Sequence, residues 1–448
     1  MQANIPPNSS NNRSYTFYIK SVSFLTERYA LFFAREKDSE TIKFTILQQN
    51  FTTMASLEHL YLFAPENDMA LAFGGKYYTP TPVAQAIARD LSLLPIWYAG
   101  EPHAQVWAIQ QVEHTMQETL NALGITAHTT NKPSRNIAEC HPWGWSAYIV
   151  DKITRTGIPR DILPNDSTID QLRELSGRAT SCDILQQLRN LLPHYQHPPL
   201  PVALRTDSDV EEYVTSQPAS ILKAPWSSSG RGVWRVNGIY DKMTARSASG
   251  IIRKQGYIMG ETWQDKICDL AMEFYSDSST SRFAGYSYFL TDERGAYQRN
   301  ILASNDEIEQ MLSQYISPVT LHEVRDALSS ITTSLITPHY KGYMGIDMII
   351  YRDNQGQILL HPCIELNLRM SMGMVARIIA DRYLASTAHG TYHVHYEAET
   401  TQLQALDKQL SAQHPLRIVN GKITNGYLAL TPIMPDTHYL AYINVKEE

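Results

Sequence analysis

The sequence predicts an α/β fold in its first half, followed by an α+β region that is built mainly from strands. From Leu60 onward, short apolar runs alternate with amphipathic helical stretches, as in α/β domains. After about Pro198 the chain changes to strands separated by loops, with helical stretches only at DEIEQMLSQY and TLHEVRDALSSIT. Because 448 residues exceed the size of one ordinary core, two or three domains are expected.

Composition excludes two classes of partner. Hydrophobic residues make up 43% of the chain and charged residues 19%, which is typical of globular proteins, and no apolar run approaches the length of a membrane span. A formal net charge of -7 argues against a protein that mainly grips a nucleic-acid backbone. We therefore expect neither a membrane nor a nucleic acid as partner, whereas a small anionic ligand remains compatible with the composition.

The four cysteines indicate a reduced, cytoplasmic protein without a structural disulfide. Cys140, Cys182, Cys268 and Cys363 lie far apart and show no CxxC spacing. The N-terminus also lacks the charged and then apolar pattern of a secretory signal.

The first 53 residues differ from the remainder. NIPPNSSNNRS is polar and rich in Pro and Asn, and the next stretch mixes aromatic and charged residues without a lasting period. Either the true start is Met54, or the segment is a short element appended to the surface. We therefore predict three regions: a poorly patterned extension over 1–53, an α/β domain over 54–198, and a strand-rich region over 199–448.

The α/β domain is predicted from its sequence pattern. YLFAP is a short strand, PVAQAIARDLSLL a helix and IWYA the next strand. QVWAIQQVEHTMQETLNALG predicts a second helix that ends at Gly124, and STIDQLRELSGR a third that starts from a serine or threonine cap. The proline-rich HYQHPPLPV then predicts a connector, with a boundary near Pro198.

A serine- and glycine-rich loop interrupts two strands in ILKAPWSSSGRGVWRV. Its glycines can adopt positive φ and bring backbone N–H groups around an anion, for which a polyphosphate is the obvious candidate. Serine hydroxyls add donors, and Lys223 on the preceding strand supplies a positive charge. The loop matches neither the Walker A motif nor the dinucleotide fingerprint, and on its own an ordinary hairpin is the more frequent explanation. The loop residues concerned are Ser227, Ser228, Ser229, Gly230, Arg231 and Gly232.

Two carboxylates are predicted to face each other in KGYMGIDMIIYRDNQGQILLHPCIELNLRMSMG. DNQGQ has the composition of a hairpin turn, and Asp347 and Glu365 each lie nine positions from Gly356. Alternation along the second strand places Glu365, Asn367 and Arg369 on one face. Oxygen ligands of this kind suit Mg²⁺, with Arg369 beside the metal. A surface hairpin with charges in water is the alternative.

These two halves of a nucleotide site, in this order, resemble the ATP-grasp superfamily of carboxylate-amine ligase type. The resemblance covers roughly residues 201–377 and implies an α/β pre-ATP-grasp domain followed by antiparallel sheets that hold the nucleotide between them. It implies phosphate contacts by Lys223 and the loop, and metal ligation by Asp347, Glu365 and Asn367. Arg369 then has a catalytic role in the transition state or a contact with substrate.

The resemblance also implies the remaining nucleotide contacts. In GYIMGETWQDKICDLAMEF, Glu261 accepts from the adenine amino group, Trp263 offers its backbone to the ring and Asp269 meets the ribose hydroxyls. Arg178 is the candidate for an additional basic contact that precedes the loop. One departure stands out, because many members have an arginine just before the metal aspartate, where this chain has 345–346, Gly and Ile.

The function that the resemblance implies is an ADP-forming, carbon-nitrogen bond-forming ligase. ATP and Mg²⁺ are the expected cofactors, and small-molecule or peptide carboxylates and amines the expected substrates; a homodimer is compatible with it. The alternatives are a nucleotide-binding regulatory protein without turnover and an ATP-dependent phosphotransferase.

Three further groups of polar residues have ordinary explanations. Residues 66–68 follow the first α/β strand, where such domains bind ligands, so they are candidates for the acceptor substrate, with turn formation as the equal rival. His393 and His395 share a strand face, but no third metal ligand stands nearby in the sequence. Cys140 and His141 are adjacent on an extended chain and so point apart, which argues against a nucleophile-base pair.

Overall fold

The structure is a computed structural model that describes residues 58–101, 103–126, 128–227, 232–291 and 297–447, together with three strands nearer the N-terminus. The chain divides into two compact units, Met1–Ser56 and Leu57–Glu448. In the first unit the strands form an antiparallel sheet of order β1-β2-β3, namely β1 Thr16–Ile19, β2 Phe32–Arg35 and β3 Lys43–Thr45. The rest of the predicted extension over 1–53 lies outside the described residues, and the three predicted regions stay a prediction.

The second unit begins with a four-stranded parallel sheet of order β6-β5-β4-β7. Its strands are β4 Glu58–Leu62, β5 Ala104–Trp107, β6 His128–Thr130 and β7 Ile137–Pro142. Six helices accompany it: α1 Asn67–Phe73, α2 Pro82–Asp90, α3 His114–Ala122, α4 Ala147–Thr154, α5 Asp166–Leu175 and α6 Ala179–Leu191. A parallel sheet with helical connections confirms the predicted α/β character of this part.

The predicted strand IWYA is wrong. Leu94–Trp97 is a short 3₁₀ helix whose four residues are buried. Pro95 lacks the N–H that a strand ladder needs, and a short apolar run that is buried on all sides gives no period to separate helix from strand.

Two other details of the helical prediction are also wrong. The predicted second helix began at QVW, but Ala104–Trp107 is a strand with alternating burial, and the helix starts only at His114. Helix α5 is capped by Asn165, whose side-chain oxygen accepts from the backbone N–H of Thr168, and not by a serine or threonine. Asn is as good an N-cap as Ser, so this cap is chemically ordinary.

A small antiparallel sheet of order β10-β9-β11-β8 follows. It consists of β8 Val202–Leu204, β9 Ser220–Lys223, β10 Val233–Val236 and β11 Ile258–Thr262, with helices α7 Asp207–Ser216 and α8 Lys242–Gln255 packed against it. Leu204, Val214, Leu222 and Ile258 belong to an apolar core of its own, separate from the main core. Strands β9 and β10 pair with Val233 opposite Lys223, which confirms the predicted strand-loop-strand arrangement.

The remaining strands form a nine-stranded antiparallel sheet of order β16-β15-β12-β13-β14-β17-β20-β19-β18. They are β12 Asp265–Asp277, β13 Ser281–Thr291, β14 Tyr297–Leu302, β15 Lys341–Arg352, β16 Ile358–Asn367, β17 Ala388–Tyr396, β18 Arg417–Val419, β19 Lys422–Ala429 and β20 Tyr439–Glu447. The helices of this region are α9 Asn305–Ser313, α10 Pro318–Leu335, α11 Met372–Tyr383 and α12 Thr400–Gln413. An α/β part followed by two antiparallel sheets is the predicted fold class, which is confirmed.

The parallel sheet and the large sheet share one apolar core. Trp143, just after β7, accepts a hydrogen bond from the backbone N–H of Met370 at 2.8 Å, and Gly144 forms a β-bridge with Arg369. The indole Nε1 of Trp97 donates to the carbonyl of Leu430 at 2.7 Å. The segment after β16 is therefore fixed against the α/β part. Among the described residues, no helix combines the length and apolar character that crossing a bilayer requires.

Candidate active site

The β15–β16 hairpin places two carboxylates face to face. The turn closes where the backbone N–H of Asp353 donates to the carbonyl of Gln357 at 2.9 Å, and Gly356 has a φ of 83°. Asp347 and Glu365 are direct cross-strand partners. The predicted pairing of these two residues is thus confirmed, but it depends on a register shift between Asp347 and Ile349. Next to the turn Ile349 lies opposite His361, and that register alone would place Cys363 opposite Asp347.

A chain of hydrogen bonds extends from this pair. Asn367 Nδ2 donates to Asp347 Oδ2 at 3.1 Å, and Arg369 Nη2 donates to Asn367 Oδ1 at 3.0 Å. Arg369 Nε lies 2.8 and 3.0 Å from the two carboxylate oxygens of Asp68. Asp68 stands in the first turn of α1, so the helix that follows β4 helps to orient the arginine. Burial opposes its charge, but the carboxylate of Asp68 raises the pKa of Arg369.

The environment of Asp347 suits a bound cation. Burial and the facing carboxylate of Glu365 raise the pKa of Asp347 to about 7. Two carboxylates this close repel each other, and a divalent cation between them removes that repulsion. Asp347 and Glu365 offer carboxylate oxygens to a hard cation, which fits Mg²⁺ rather than zinc or copper. Asn367 directs its Nδ2 at Asp347 while its Oδ1 accepts from Arg369, so the predicted ligation by Asn367 needs its amide group to turn.

Without Mg²⁺, the protein should lose stability as the pH rises through the pKa of Asp347. The folded pKa of Asp347, about 7, lies above the ordinary value of 3.8, so the folded state holds the proton more tightly than the unfolded state does. Stability from this group therefore falls as the pH rises from about 4 to about 7, and is lost above that. We expect the melting temperature of Asp347→Asn to rise relative to that of the wild type as the pH is raised. Mg²⁺ should raise the melting temperature of the wild type and not that of the variant. Thermal unfolding at pH 5 to 8.5 with and without MgCl₂ checks this, and identical pH profiles for both proteins would contradict it.

The serine- and glycine-rich loop between β9 and β10, residues 224–232, is called the flap here. A buried ion pair lies at its base. Lys223, at the end of β9, is 6% exposed, and its Nζ lies 2.5 Å from Glu261 Oε2 on the neighbouring β11. The two residues predicted to contact phosphate and adenine therefore lie side by side on one face of the small sheet. Each charge neutralises the other, and both side chains are largely shielded from solvent.

Arg178 connects the flap to the carboxylate hairpin. It precedes α6, is 6% exposed, and its Nε donates to the carbonyl of Ala224 at 3.0 Å. Its Nη2 donates to Ser227 Oγ at 3.2 Å, while Nη1 lies 2.9 Å from Glu365 Oε2. The basic residue suggested for an additional nucleotide contact thus stands between the two halves of the site.

Only part of the flap loop is described. Ser228, Ser229, Gly230 and Arg231 lie outside the described residues, so their phosphate contacts remain a prediction. Gly232 has a φ of 72°, the positive value expected of this loop, and its carbonyl accepts from the N–H of Ala224 at 2.7 Å.

The residues predicted to contact adenine and ribose lie on β11, on β12 and in the link between them. Asp269, on β12, lies opposite Ile349 of β15, and its Oδ2 accepts from Thr291 Oγ1 at 2.7 Å and from Lys266 Nζ at 2.5 Å. The backbone N–H of Trp263 donates to the carbonyl of Ala219 at 3.2 Å. Its carbonyl is therefore the part of the backbone left for a ligand, and its ring packs 3.9 Å from the guanidinium of Arg235.

Glu273 is a buried carboxylate that the sequence analysis missed. It lies on β12 opposite Gly345 and is 1% exposed; Ser371 Oγ donates to its Oε1 at 2.8 Å, while Oε2 has no partner among the described residues. Burial raises its pKa to about 8. A glutamate within the otherwise apolar run LAMEF was the available signal.

Glu273 also accounts for the departure before Asp347. A Cβ atom at Gly345 would lie 2.7 Å from Glu273 Oε2, and one at Gly373 would lie 2.6 Å from Oε1. Glycine at both positions therefore leaves the space that the carboxyl group fills, in the place where an arginine was expected.

The comparisons with known proteins concern fold. No protein-family model and no curated protein matches this chain. Among solved structures, an N5-carboxyaminoimidazole synthetase from Staphylococcus aureus is 10% identical and matches 88% of this chain and 94% of its own, with a TM-score of 0.45. The biotin carboxylase domain of a Hydrogenobacter thermophilus 2-oxoglutarate carboxylase is 11% identical over 87% of this chain and 86% of its own, with a TM-score of 0.46.

At these identities and TM-scores, the matches carry no argument about activity or substrate. The geometry of the chain itself is more specific. A parallel α/β part is followed by a small sheet with a glycine-rich flap and a basic residue, and then by a large antiparallel sheet that presents Asp347, Glu365 and Asn367 towards it. This arrangement has the order of elements that the resemblance to the ATP-grasp superfamily predicts.

Proposed function

We propose that the protein is an ATP-dependent ligase that activates a carboxylate as an acyl phosphate and joins it to an amine or a similar nucleophile, with release of ADP and phosphate. One observation carries the proposal. Arg178 connects the facing carboxylates Asp347 and Glu365 to the flap, because it forms an ion pair with Glu365 and a hydrogen bond with Ser227. The proposed cation site and the proposed phosphate site would therefore be neighbours.

The proposed nucleotide contacts follow from the positions of the side chains. Lys223, Ser227 and the flap loop hold phosphates, while Glu261, the carbonyl of Trp263 and Asp269 hold adenosine. Glu261 is paired with Lys223 in this structure. When phosphate oxygens take the ammonium group of Lys223, the carboxylate of Glu261 is released to accept from an adenine amino group.

The proposed chemistry depends on charge neutralisation at the transferring phosphoryl group. Mg²⁺ would supply positive charge that offsets the negative charge of the phosphate groups. Asp347, Glu365 and Asn367 supply its oxygen ligands. Arg369 is already held by Asp68 and Asn367, so little reorganisation is needed for its guanidinium to stabilise charge that develops in the transition state.

Two alternative functions would use the same residues. A regulatory protein without turnover would be expected to have lost a metal ligand, yet Asp347, Glu365 and Asn367 are all present. A phosphotransferase on this fold would yield a stable phosphorylated product and need no second substrate. The ligase is favoured over the regulatory protein by the retained ligands, and product analysis separates it from the phosphotransferase.

The test is a search for products in a metabolite mixture. The purified protein is incubated with ATP, Mg²⁺ and a pooled metabolite extract, and new masses are identified. We expect a condensation product whose mass is the sum of two metabolites minus water, formed with equal amounts of ADP and phosphate. Glu365→Gln serves as the inactive control. A product that carries one added phosphoryl group would show a phosphotransferase instead.

Lys223→Ala should weaken ATP binding by roughly 10- to 150-fold, because a charge-assisted hydrogen bond contributes about 1.5 to 3 kcal/mol. The substitution also leaves Glu261 buried without its partner, so the double variant Lys223→Gln/Glu261→Gln removes both charges together. Calorimetry should show weak ATP binding in both, and wild-type affinity in Lys408→Ala, an exposed lysine on α12. Unchanged affinity in both Lys223 variants would refute the phosphate contact.

A further inference from the structure

Three potential metal ligands meet on the parallel sheet, away from the carboxylate hairpin. In the pairing of β4 with β7, His59 lies opposite Glu139 and Tyr61 opposite His141, so alternation puts all four side chains on one face. His59 Nδ1 and His141 Nε2 are 3.0 Å apart. Glu139 Oε2 lies 4.0 Å from the first nitrogen and 3.9 Å from the second.

We propose that His59, Glu139 and His141 bind one divalent transition-metal ion of the zinc class. Their ligand atoms all lie within 4.8 Å of one another, and this is the one group of this kind among the described residues. Metal-ligand bonds of about 2.0 to 2.2 Å place neighbouring ligand atoms roughly 3 to 3.5 Å apart in a tetrahedral site. The nitrogens already fit this spacing, and the carboxylate needs only a small side-chain movement.

The ligand chemistry distinguishes this site from the proposed Mg²⁺ site. Imidazole nitrogens with one carboxylate suit zinc and related transition metals, whereas the Asp347 site offers oxygens alone. The 3.0 Å between the two facing nitrogens fits a hydrogen bond in which one ring donates its N–H hydrogen to the other. Binding requires that this hydrogen move to the far nitrogen of its own ring, so that both rings present lone pairs to the ion.

Neighbouring residues hold the three side chains in place. Lys341 Nζ lies 2.5 Å from Glu139 Oε1, which leaves Oε2 directed at the histidines. The ring of Tyr61 stacks on His141 with centroids 4.7 Å apart. Such outer contacts orient metal ligands and tune their affinity. Lys341 begins β15, six residues before Asp347, so roughly 20 Å of strand lies between the residue that orients Glu139 and the carboxylate of the hairpin.

An open coordination position would face a cavity. A cavity of about 540 Å³ is lined by Glu139 and His141, and also by Tyr61, Glu101, Lys341 and Arg382. Three protein ligands with a fourth position open to water or to a bound molecule is the arrangement of reactive zinc sites, whereas purely structural sites have four protein ligands. The proposal goes beyond the ligase function and shares no residue with it.

The chain provides a matched control. His393 and His395 also share a strand face, on β17, but His393 stacks on Tyr442 with centroids 4.6 Å apart and His395 Nε2 lies 2.9 Å from Glu397 Oε1. This second histidine pair is not part of a three-ligand group among the described residues. Removing one of its rings should leave metal binding unchanged.

The test titrates the full-length, tag-free protein with Co²⁺, followed by visible absorption and by competition with Zn²⁺. We expect one equivalent bound, with the intense bands of a four-coordinate ion. His59→Gln and His141→Gln should each weaken binding by at least about a hundredfold, since loss of a mere outer contact already costs 10- to 100-fold. His395→Gln should bind as wild type does.

Glu139→Gln tests the ligand set with little risk of unfolding the protein, because this side chain is 35% exposed and its replacement keeps the shape of the group. It should weaken binding at least about tenfold and keep the wild-type melting temperature. Failure of the wild-type protein to bind Co²⁺, or wild-type affinity in both His59→Gln and His141→Gln, would overturn the proposal and leave a hydrogen-bonded histidine pair. ATP and Mg²⁺ binding should not change in these variants, so the outcome is independent of the ligase function.

Discussion

Glu365→Gln should reduce product formation by at least about a thousandfold while the protein remains folded, the upper range for loss of one preorganised electrostatic group. The substitution keeps the shape of the side chain but removes one of the two negative charges that hold the cation opposite Asp347. It also removes the ionic partner of Arg178, 2.9 Å away, so the flap loses an attachment at the same time. Steady-state rates at saturating ATP and several Mg²⁺ concentrations measure the effect.

The exposed Glu118 on α3 provides the control, because Glu118→Gln changes the same charge on the surface and should leave the rate unchanged. If Glu365→Gln unfolds at a much lower temperature than wild type, the carboxylate has a structural role through Arg178. If the variant folds and turns over normally, the metal assignment is wrong.

Arg369→Ala should lower the rate by roughly a hundredfold or more and leave ATP affinity nearly intact, since a group that acts in the transition state affects turnover rather than ground-state binding. The guanidinium is held on one side by Asp68 and on the other by Asn367. Because the alanine variant leaves Asp68 without its partner, Asp68→Asn is the necessary companion. Asp68→Asn should give a smaller fall in rate, since the arginine remains but is less well oriented.

The effect of Arg369→Ala on ATP affinity, compared with its effect on the turnover rate, decides the role of Arg369. Weaker ATP binding, with turnover preserved at saturation, would make it a ground-state phosphate contact. Calorimetry with ATP and initial rates at saturating ATP, measured on the same protein samples, separate the two outcomes.

The carboxylate hairpin could be predicted from the sequence because local rules fix it. A turn near Gly356 between two apolar arms predicts the hairpin, whereas the pairing of Asp347 with Glu365 also needs the register shift between Asp347 and Ile349, which no turn rule gives. The flap strands were equally local. By contrast, the secondary structure of IWYA could not be predicted, since the short apolar segment around it contains Pro95 and has no readable period.

Contacts between distant segments could not be derived in this way. Arg369 and Asp68 are 301 positions apart, and His59 and His141 are 82 apart, so each pairing depends on which strands become neighbours. From the sequence, residues 66–68 are candidates for the acceptor substrate or for a turn, and His141 has only Cys140 as a neighbour with reactive chemistry. Glu273 was missed because its significance depends on two distant glycines that leave room for its carboxyl group.

The measurement that tests the proposed function most directly is trapping with hydroxylamine. The protein is incubated with ATP, Mg²⁺, hydroxylamine and pools of carboxylic acids from a metabolite extract, without any amine acceptor, and hydroxamates and nucleotides are quantified by mass spectrometry. An acyl phosphate reacts with the strong nucleophile, so we predict one hydroxamate for each ADP and phosphate, none with Glu365→Gln, and no AMP. Formation of AMP with the hydroxamate, or of a stable phosphorylated metabolite with no hydroxamate, would contradict the proposed ligase.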